Sequence, residues 1–418
     1  MTGKYEEAVK SLDNFVNTLV FKGDEAKPSN IFNAVVLIAS PDNGFSHISS
    51  AGLARADTGE AMTGNHQYHI ASTGKMMTAT VLLQLWEEGF LGQKGLDTTL
   101  GDFGLFDRDT LNRLFVFGGK AYGGSLTLRQ LLTHSSGMKD IQADDGNYTA
   151  EEFGGPAPGS LFASLWSRRD IHLLENNDLF ELNIPNWKPW DSKRPYEKEA
   201  GLINWLLNGG CAESPVFLPD QGFHYSDTAF TILALLIEHL TGRSFHRVQR
   251  ERIFDPLGMD STFMSYNDDP DPAPWTHSVS DFYFGDIPGM SKGINLSNDF
   301  GGGGQVSTAE DLYTFLRNLL EGNLFKNNET LEVMSNWRYH RKKLDAIGPD
   351  MFHGIGLGIF RSKTRDNTHW VGHAGAWGSW AAYEEESGIY ISGTCNQRTP
   401  NVRNWAANAL ATVREKLA

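Results

Sequence analysis

Ser72 and Lys75 stand three residues apart in "HIASTGKMMTATVLLQLWEEG", His69 to Gly89, and residues three apart share one face of a helix. A helix opening near Ala71 sets the hydroxyl and the amine side by side in its first turn. Met76, Val81, Leu82, Leu85 and Trp86 then bury the rest of it, and Gly89 stops it. An inward-facing lysine is a poor structural choice there. The helix N-terminus favours negative charge, and burial penalises an ammonium group. A chemical role for the amine beside a nucleophilic serine would justify that cost. The plain alternative is a capping serine with a solvent-facing lysine.

Two further stretches carry candidate chemistry. In "PDQGFHYSDTAFTILALLIEHLTG", Tyr225 follows a Pro/Gly turn and precedes a long apolar helix. Alone it reads equally as a core-edge aromatic with a wet hydroxyl. Beside Ser72, a phenol near two ammonium or dipole charges could be lowered enough to act as a base. In "HWVGHAGAWGSW", small residues interrupt an aromatic strand around His373, and glycine in a strand often marks close approach of a ligand or backbone. His373 alone reads more readily as a satisfied strand histidine. Two decoys compete. Ser136/Lys139 repeats the Ser-x-x-Lys spacing, but Gly137 looks like a helix stop. Ser291 in "GMSKG" fits G-x-S-x-G without the strand before and helix after that the elbow needs.

The elements that must position these groups fall into a split pattern. "FNAVVLIASP" and "GFSHISSAGLA" are strand-like runs joined by "DNG", a hairpin signal. The chain returns to strands in "HGIGLGIFRSK", "HWVGHAGAWGSWAAYEEE" and "GIYISGTCNQ", and closes on a helix. One antiparallel sheet built from both termini is expected, as an α+β fold. Residues 1–104 and 296–418 would form that sheet domain, and 105–295 an inserted, mostly helical domain with an irregular 145–205 segment. Trp166, Trp187 and Trp190 in that segment could line an acyl pocket or form a small core of their own.

Bulk properties narrow the function. The chain has 418 residues, 40% hydrophobic and 21% charged, with net charge −15. Without a basic stripe, nucleic acid is not expected as a partner. No apolar run is long enough for a transmembrane helix. The first 23 residues read as an amphipathic helix without the apolar block of a signal peptide. A cytoplasmic location is expected, or a periplasmic or secreted one if a leader was trimmed. Two cysteines, Cys211 and Cys395, make no disulfide framework, and Cys395 reads as an inert core thiol. The thirteen histidines show no His-Glu-x-x-His, so neither metal nor cofactor is expected.

Ser-x-x-Lys, then Tyr-Ser-Asp, then His-x-Gly, spread over roughly 300 residues, resembles the serine β-lactamase and penicillin-recognising superfamily. Its class C β-lactamase-like branch holds D-alanyl-D-alanine carboxypeptidases, D-aminopeptidases and family VIII carboxylesterases. "LTLRQLLTHSSGM", "IFDPLGMDSTFM" and "GGGGQVSTAEDLYTFLRNLLEG" are similar to other segments of that branch. The resemblance implies a β-lactamase/transpeptidase-like fold with the site between its two parts. It implies Ser72 as the acylated nucleophile, Lys75 as its proton partner, and Tyr225 as second member of the base pair, later activating the deacylating water. The backbone N–H groups of Ser72 and Ala376, which follows His373-Ala374-Gly375, would form the oxyanion hole.

Two positions depart from the branch's β-lactamases. Asp227 stands where they carry asparagine, and a carboxylate cannot donate to a substrate amide oxygen. Facing the cleft, it would hold the charge state of Lys75 or a neighbouring donor. His373 replaces the lysine of Lys-Thr-Gly and weakens the fixed positive charge for a substrate carboxylate. The expected activity is a serine hydrolase with a covalent acyl-enzyme, most readily a carboxylesterase on small or aromatic esters. The alternatives are a D-amino-acid peptidase or amidase, or a D-alanyl-D-alanine carboxypeptidase with weak β-lactamase activity. A non-catalytic member that binds a peptide or polymer is the rival from another class. No oligomeric state follows from the sequence.

Overall fold

The computed structural model describes residues 5–20, 31–140, 207, 215–265, 279–292, 296, 299–338, 354–363, 367–397 and 405–417. Cys211, Trp166, Trp187 and Trp190 lie outside them.

Alternation decides the sheet. In β1 (Asn33–Ser40) all eight residues are buried. Ala34, Val36 and Ile38 enter one apolar cluster, and Val35, Leu37 and Ala39 enter another. A strand buried on both faces must be central, and β1 pairs on either side. One neighbour is β2 (Phe45–Gly52), the other a strand from the far end of the chain. The first connection is the expected hairpin, with Gly44 at φ 64, a left-handed conformation that glycine adopts without cost. From the far end come β3 (Gly354–Ile355), β4 (Phe360–Lys363), β5 (His369–Ala374), β6 (Trp380–Glu384) and β7 (Ile389–Thr394). The seven-stranded order is β3-β4-β5-β6-β7-β1-β2, antiparallel at each pairing.

The run "HWVGHAGAWGSWAAYEEE" is therefore two strands. Gly375 N–H donates to the Ser379 carbonyl (2.8 Å) and Gly378 N–H to the Gly375 carbonyl (3.0 Å). The small residues that look like strand interruptions make this turn.

Two terminal helices cover one face. α1 (Glu6–Leu19) turns Ala8, Leu12 and Val16 inward, and α5 (Trp405–Leu417) turns in Ala406, Ala409, Leu410 and Val413. The opposite face takes α4 (Ala309–Leu320), whose Leu312, Phe315, Leu316 and Leu319 are buried. Also on that side are α2 (Lys75–Glu87) and α3 (Asp227–Thr241), packed against each other. Both lack the one-sided pattern of a surface helix. Lys75 to Leu83 of α2 and Thr228 to Glu238 of α3 are buried without interruption, because neighbours surround them. This is the α+β architecture expected. Among the described residues, no helix is long and apolar enough to cross a membrane.

Candidate active site

Ser72 enters the site on a short 3-10 turn, Ala71–Gly74, and the α-helix proper begins at Lys75. The turn is anchored from several directions. The strand Tyr68–His69 before it pairs with Gln305–Ser307, and Ile70 N–H donates to the Gln305 carbonyl (3.1 Å). From the sheet, Ser379 Oγ donates to the Ile70 carbonyl and lies 3.1 Å from Thr73 Oγ1. Ala71 has φ 45, an unfavourable conformation for a residue with a Cβ. Two glycines press on it. A Cβ at Gly303 would fall 2.1 Å from the Ala71 carbonyl carbon and 2.7 Å from Ser72 N. A Cβ at Gly375 would fall 2.3 Å from the Ile70 carbonyl oxygen.

Lys75 is fully buried, which removes the alternative of a solvent-facing lysine. Its Nζ donates to Ser72 Oγ (3.1 Å), to the Gly302 carbonyl (2.6 Å) and to Asp227 Oδ1. Asp227 arrives at the first residue of α3, next to Ser226, whose Oγ caps the helix by accepting the Ala229 N–H. Burial pushes the ammonium down, but the Asp227 carboxylate, aided by Tyr225, outweighs it and holds Lys75 above the ordinary lysine value. A buried ion pair with its donors satisfied in this way keeps its charge.

Tyr225 stands over the same group, its ring centroid 4.9 Å from Lys75 Nζ. Its hydroxyl is buried and has no hydrogen-bond partner of ordinary geometry, although Lys75 and Ser72 both act on it. The expected lowering does not occur. Burial pushes the phenol up, Asp227 adds to that, and Lys75 pulls down too weakly to reverse it. Asp227 offsets only part of the Lys75 charge that would favour a tyrosinate, and burial is the larger cause. In the free protein Tyr225 is a phenol and Lys75 an ammonium.

His373 lies at the sheet side of the cluster, 6.2 Å from the Tyr225 ring. Its Nδ1 is 2.7 Å from the Ala374 carbonyl, so Nδ1 carries the proton and buried Nε2 is an acceptor without a partner. Burial, then Lys75, pushes its pKa down to about 3. At neutral pH His373 adds no cation. Ala376 is exposed on the turn that Gly375 seats against the Ser72 segment.

Ser72, Lys75, Tyr225 and Asp227 thus converge, with His373 and Gly375 around them. The decoys stay apart. Ser291 Oγ donates to Asp281 Oδ2 and its N–H to Oδ1 (both 2.6 Å). Ser136 is buried beyond the helix Leu128–Leu132, its Oγ accepting the Met138 N–H. Cys395 is a buried free thiol that burial pushes up to about 12. Among the described residues, one grouping could hold a metal, His369, Glu385 and Glu386. Ion pairs already engage it, His369 with Glu386 and Glu385 with Arg361. Sequence reasoning assigned no role to Gly302, which supplies the third acceptor for Lys75, or to Gly303. The run "GGGGQVS" was the signal, since only glycine permits such close approach.

An α+β fold with a buried lysine bonded to a serine at a helix mouth defines a penicillin-recognising type of protein. The chain belongs to the Beta-lactamase family, matching it over residues 31–414. Penicillin-binding protein 4* of Bacillus subtilis (strain 168) is 26% identical over 231 residues, 55% of this chain and 38% of that protein. The chain therefore spans well under two thirds of that relative's length. Among solved structures, D-amino acid amidase from Ochrobactrum anthropi SV3 complexed with L-phenylalanine amide matches with TM-score 0.69 at 19% identity, over 100% of both chains. D-stereospecific amidohydrolase from Streptomyces sp. matches with TM-score 0.63 at 22% identity, over 98% of each. At these identities the likeness to the solved structures is one of fold.

Proposed function

We propose that this chain is a serine hydrolase that forms a covalent acyl-enzyme on Ser72. The observation that carries the reading is Lys75, wholly buried and hydrogen-bonded at once to Ser72 Oγ and Asp227. A binder of peptides or polymers would gain nothing from burying that pair, whereas acyl transfer needs a proton path from the hydroxyl. Ser72 Oγ attacks the substrate carbonyl carbon as its proton passes to Lys75 and a Lys75 proton passes to Asp227. The N–H groups of Ser72 and Ala376 receive the developing oxyanion. The tetrahedral intermediate then expels its leaving group, which takes the Tyr225 proton. The tyrosinate, now beside Lys75, draws a proton from water that attacks the acyl carbon. That proton restores the Tyr225 phenol, and the second tetrahedral intermediate expels Ser72 Oγ, which regains its proton from Lys75 as Lys75 recovers one from Asp227.

Small or aromatic esters are the first substrate class, because their leaving groups need little protonation. Amides are the second, and one observation favours them specifically. The Tyr225 phenol keeps its proton in the free protein, as an acid serving an amine leaving group must. The amidase activities named for two structural relatives agree with that reading and make D-amino-acid amides the amides to try. A neutral His373 disfavours substrates that need a carboxylate anchored there, as a carboxypeptidase's would.

The test is turnover of p-nitrophenyl esters, D-amino-acid anilides and nitrocefin, with intact-mass detection of the acyl adduct. Ser72→Ala should lower turnover by about 10³-fold or more and abolish the adduct while the protein stays folded. Unchanged turnover in Ser72→Ala, with loss in Ser291→Ala, would overturn the assignment.

A further inference from the structure

His134 sits behind Tyr225 on a different segment, in "LLTHSSG". It is fully buried, and it is one of the few non-glycine residues with positive φ, at 54. Its carbonyl accepts the His224 N–H (2.9 Å), and its Nδ1 accepts the Ser226 N–H (3.1 Å). These are the amides on either side of Tyr225. Its ring stacks on the Tyr225 ring, with centroids 4.4 Å apart and planes inclined by 22°. Phe230 (5.2 Å), Phe223 (5.8 Å) and Phe360 (6.0 Å) enclose the imidazole on its other sides.

The geometry points to His134 as a positioning residue for Tyr225, acting through the hydrogen bond that its Nδ1 accepts from Ser226. This rests on Tyr225 being part of the reacting group proposed above. Lys75 and Ser72 act on the tyrosine hydroxyl from the site, while its ring and the amides on either side of it are held from behind by His134. The main chain at 224–226 leads straight into α3, and a shift there would move Tyr225 and Asp227 together. The left-handed backbone of His134 is what lets one residue present both its carbonyl and its ring to this segment. An unprotonated Nδ1 is required for the clamp. Burial, then Lys75, His373 and His224, holds the imidazole well below the ordinary histidine pKa, which keeps it neutral.

The experiment compares His134→Asn with His134→Gly. Both residues tolerate positive φ. Asn places an amide oxygen close to where Nδ1 stands, and Gly offers no acceptor. On p-nitrophenyl acetate, with rates normalised to the acyl burst so that only competent sites count, kcat of His134→Gly should fall at least about tenfold with KM nearly unchanged. His134→Asn should stay within about threefold of the parent. Amide hydrogen exchange at Ser226 should be slow in the parent and in His134→Asn, and faster in His134→Gly. A kcat for His134→Gly equal to that of His134→Asn, whether both are high or both low, would overturn the clamp. Ser72→Ala is run alongside. If it turns over like the parent, the site reading fails as well, whereas a dead Ser72→Ala with an active His134→Gly sinks this inference alone.

Discussion

At the residue scale, the chemistry turns on the charge that Asp227 keeps on Lys75. Burial works against that ammonium, and the carboxylate beside it is the main opposing influence. Asp227→Asn keeps the shape and removes the charge, so burial should win and Lys75 should become a neutral amine more easily. The proton would then have no carboxylate to move to, and activity would require Lys75 itself to be deprotonated. The acid limb of kcat/KM on a short ester should move up by at least about one pH unit, with turnover regained at alkaline pH. Paired pH–rate profiles of the parent and variant read this directly. An unmoved limb would mean that Asp227 sets neither the charge of the lysine nor the proton path.

At the element scale, the Ser72 turn is held by backbone pressed against backbone. Gly303 has φ 152, and a methyl group there would collide with main-chain atoms of Ala71 and Ser72, which have no flexible end to swing away. Gly303→Ala should displace the turn. Since a misplacement of about 1 Å can cost about 100-fold in rate, a loss of that order in kcat/KM is expected. Gly44→Ala is the control. Gly44 also has positive φ, but a Cβ there meets nothing within 4 Å. It should cost about 1 kcal/mol of stability with activity unchanged. Thermal unfolding and ester kinetics on both variants separate strain from collision. Equal activity of the two would show that the turn does not depend on Gly303.

At the scale of the whole molecule, three imidazoles among the described residues are buried without charge. His69 and His373 are pushed down to about 3 and His134 well below its ordinary value, chiefly by burial. A depressed pKa means the unfolded chain binds a proton that the folded one refuses. Stability from these groups is present above the ordinary histidine pKa of about 6.5 and is lost as pH falls toward the folded values. Three protons taken up on unfolding correspond to about 4 kcal/mol per pH unit in the middle of that window. Lys75 and Tyr225 lie above their ordinary values, so their contribution has the opposite sign and is lost as pH rises past about 10. Urea midpoints should therefore drop steeply between pH 6.5 and 5. A flat response there would mean that the imidazoles are not excluded from water together.

Patterns carried by neighbouring residues were legible in the sequence alone. The apolar run from Val35 to Ala39, the hairpin at Gly44, the terminal helices and the Ser72/Lys75 spacing are local, and each forces a local geometry. From these the α+β sheet from both termini could be read, and the meeting of Ser72 with Tyr225 was implied by the family resemblance that the order of the motifs carries. Tertiary structure alone decided the charge states. Whether Tyr225 is lowered or raised depends on burial and on where Asp227 points, and no spacing encodes either. It also decided that "HWVGHAGAWGSW" turns back on itself, that α2 is buried nearly all round, and that Gly302, Gly303 and His134 converge on residues far away in the chain. Dielectric environment and close backbone approach are properties of the assembled interior, so they exist only once the chain has folded.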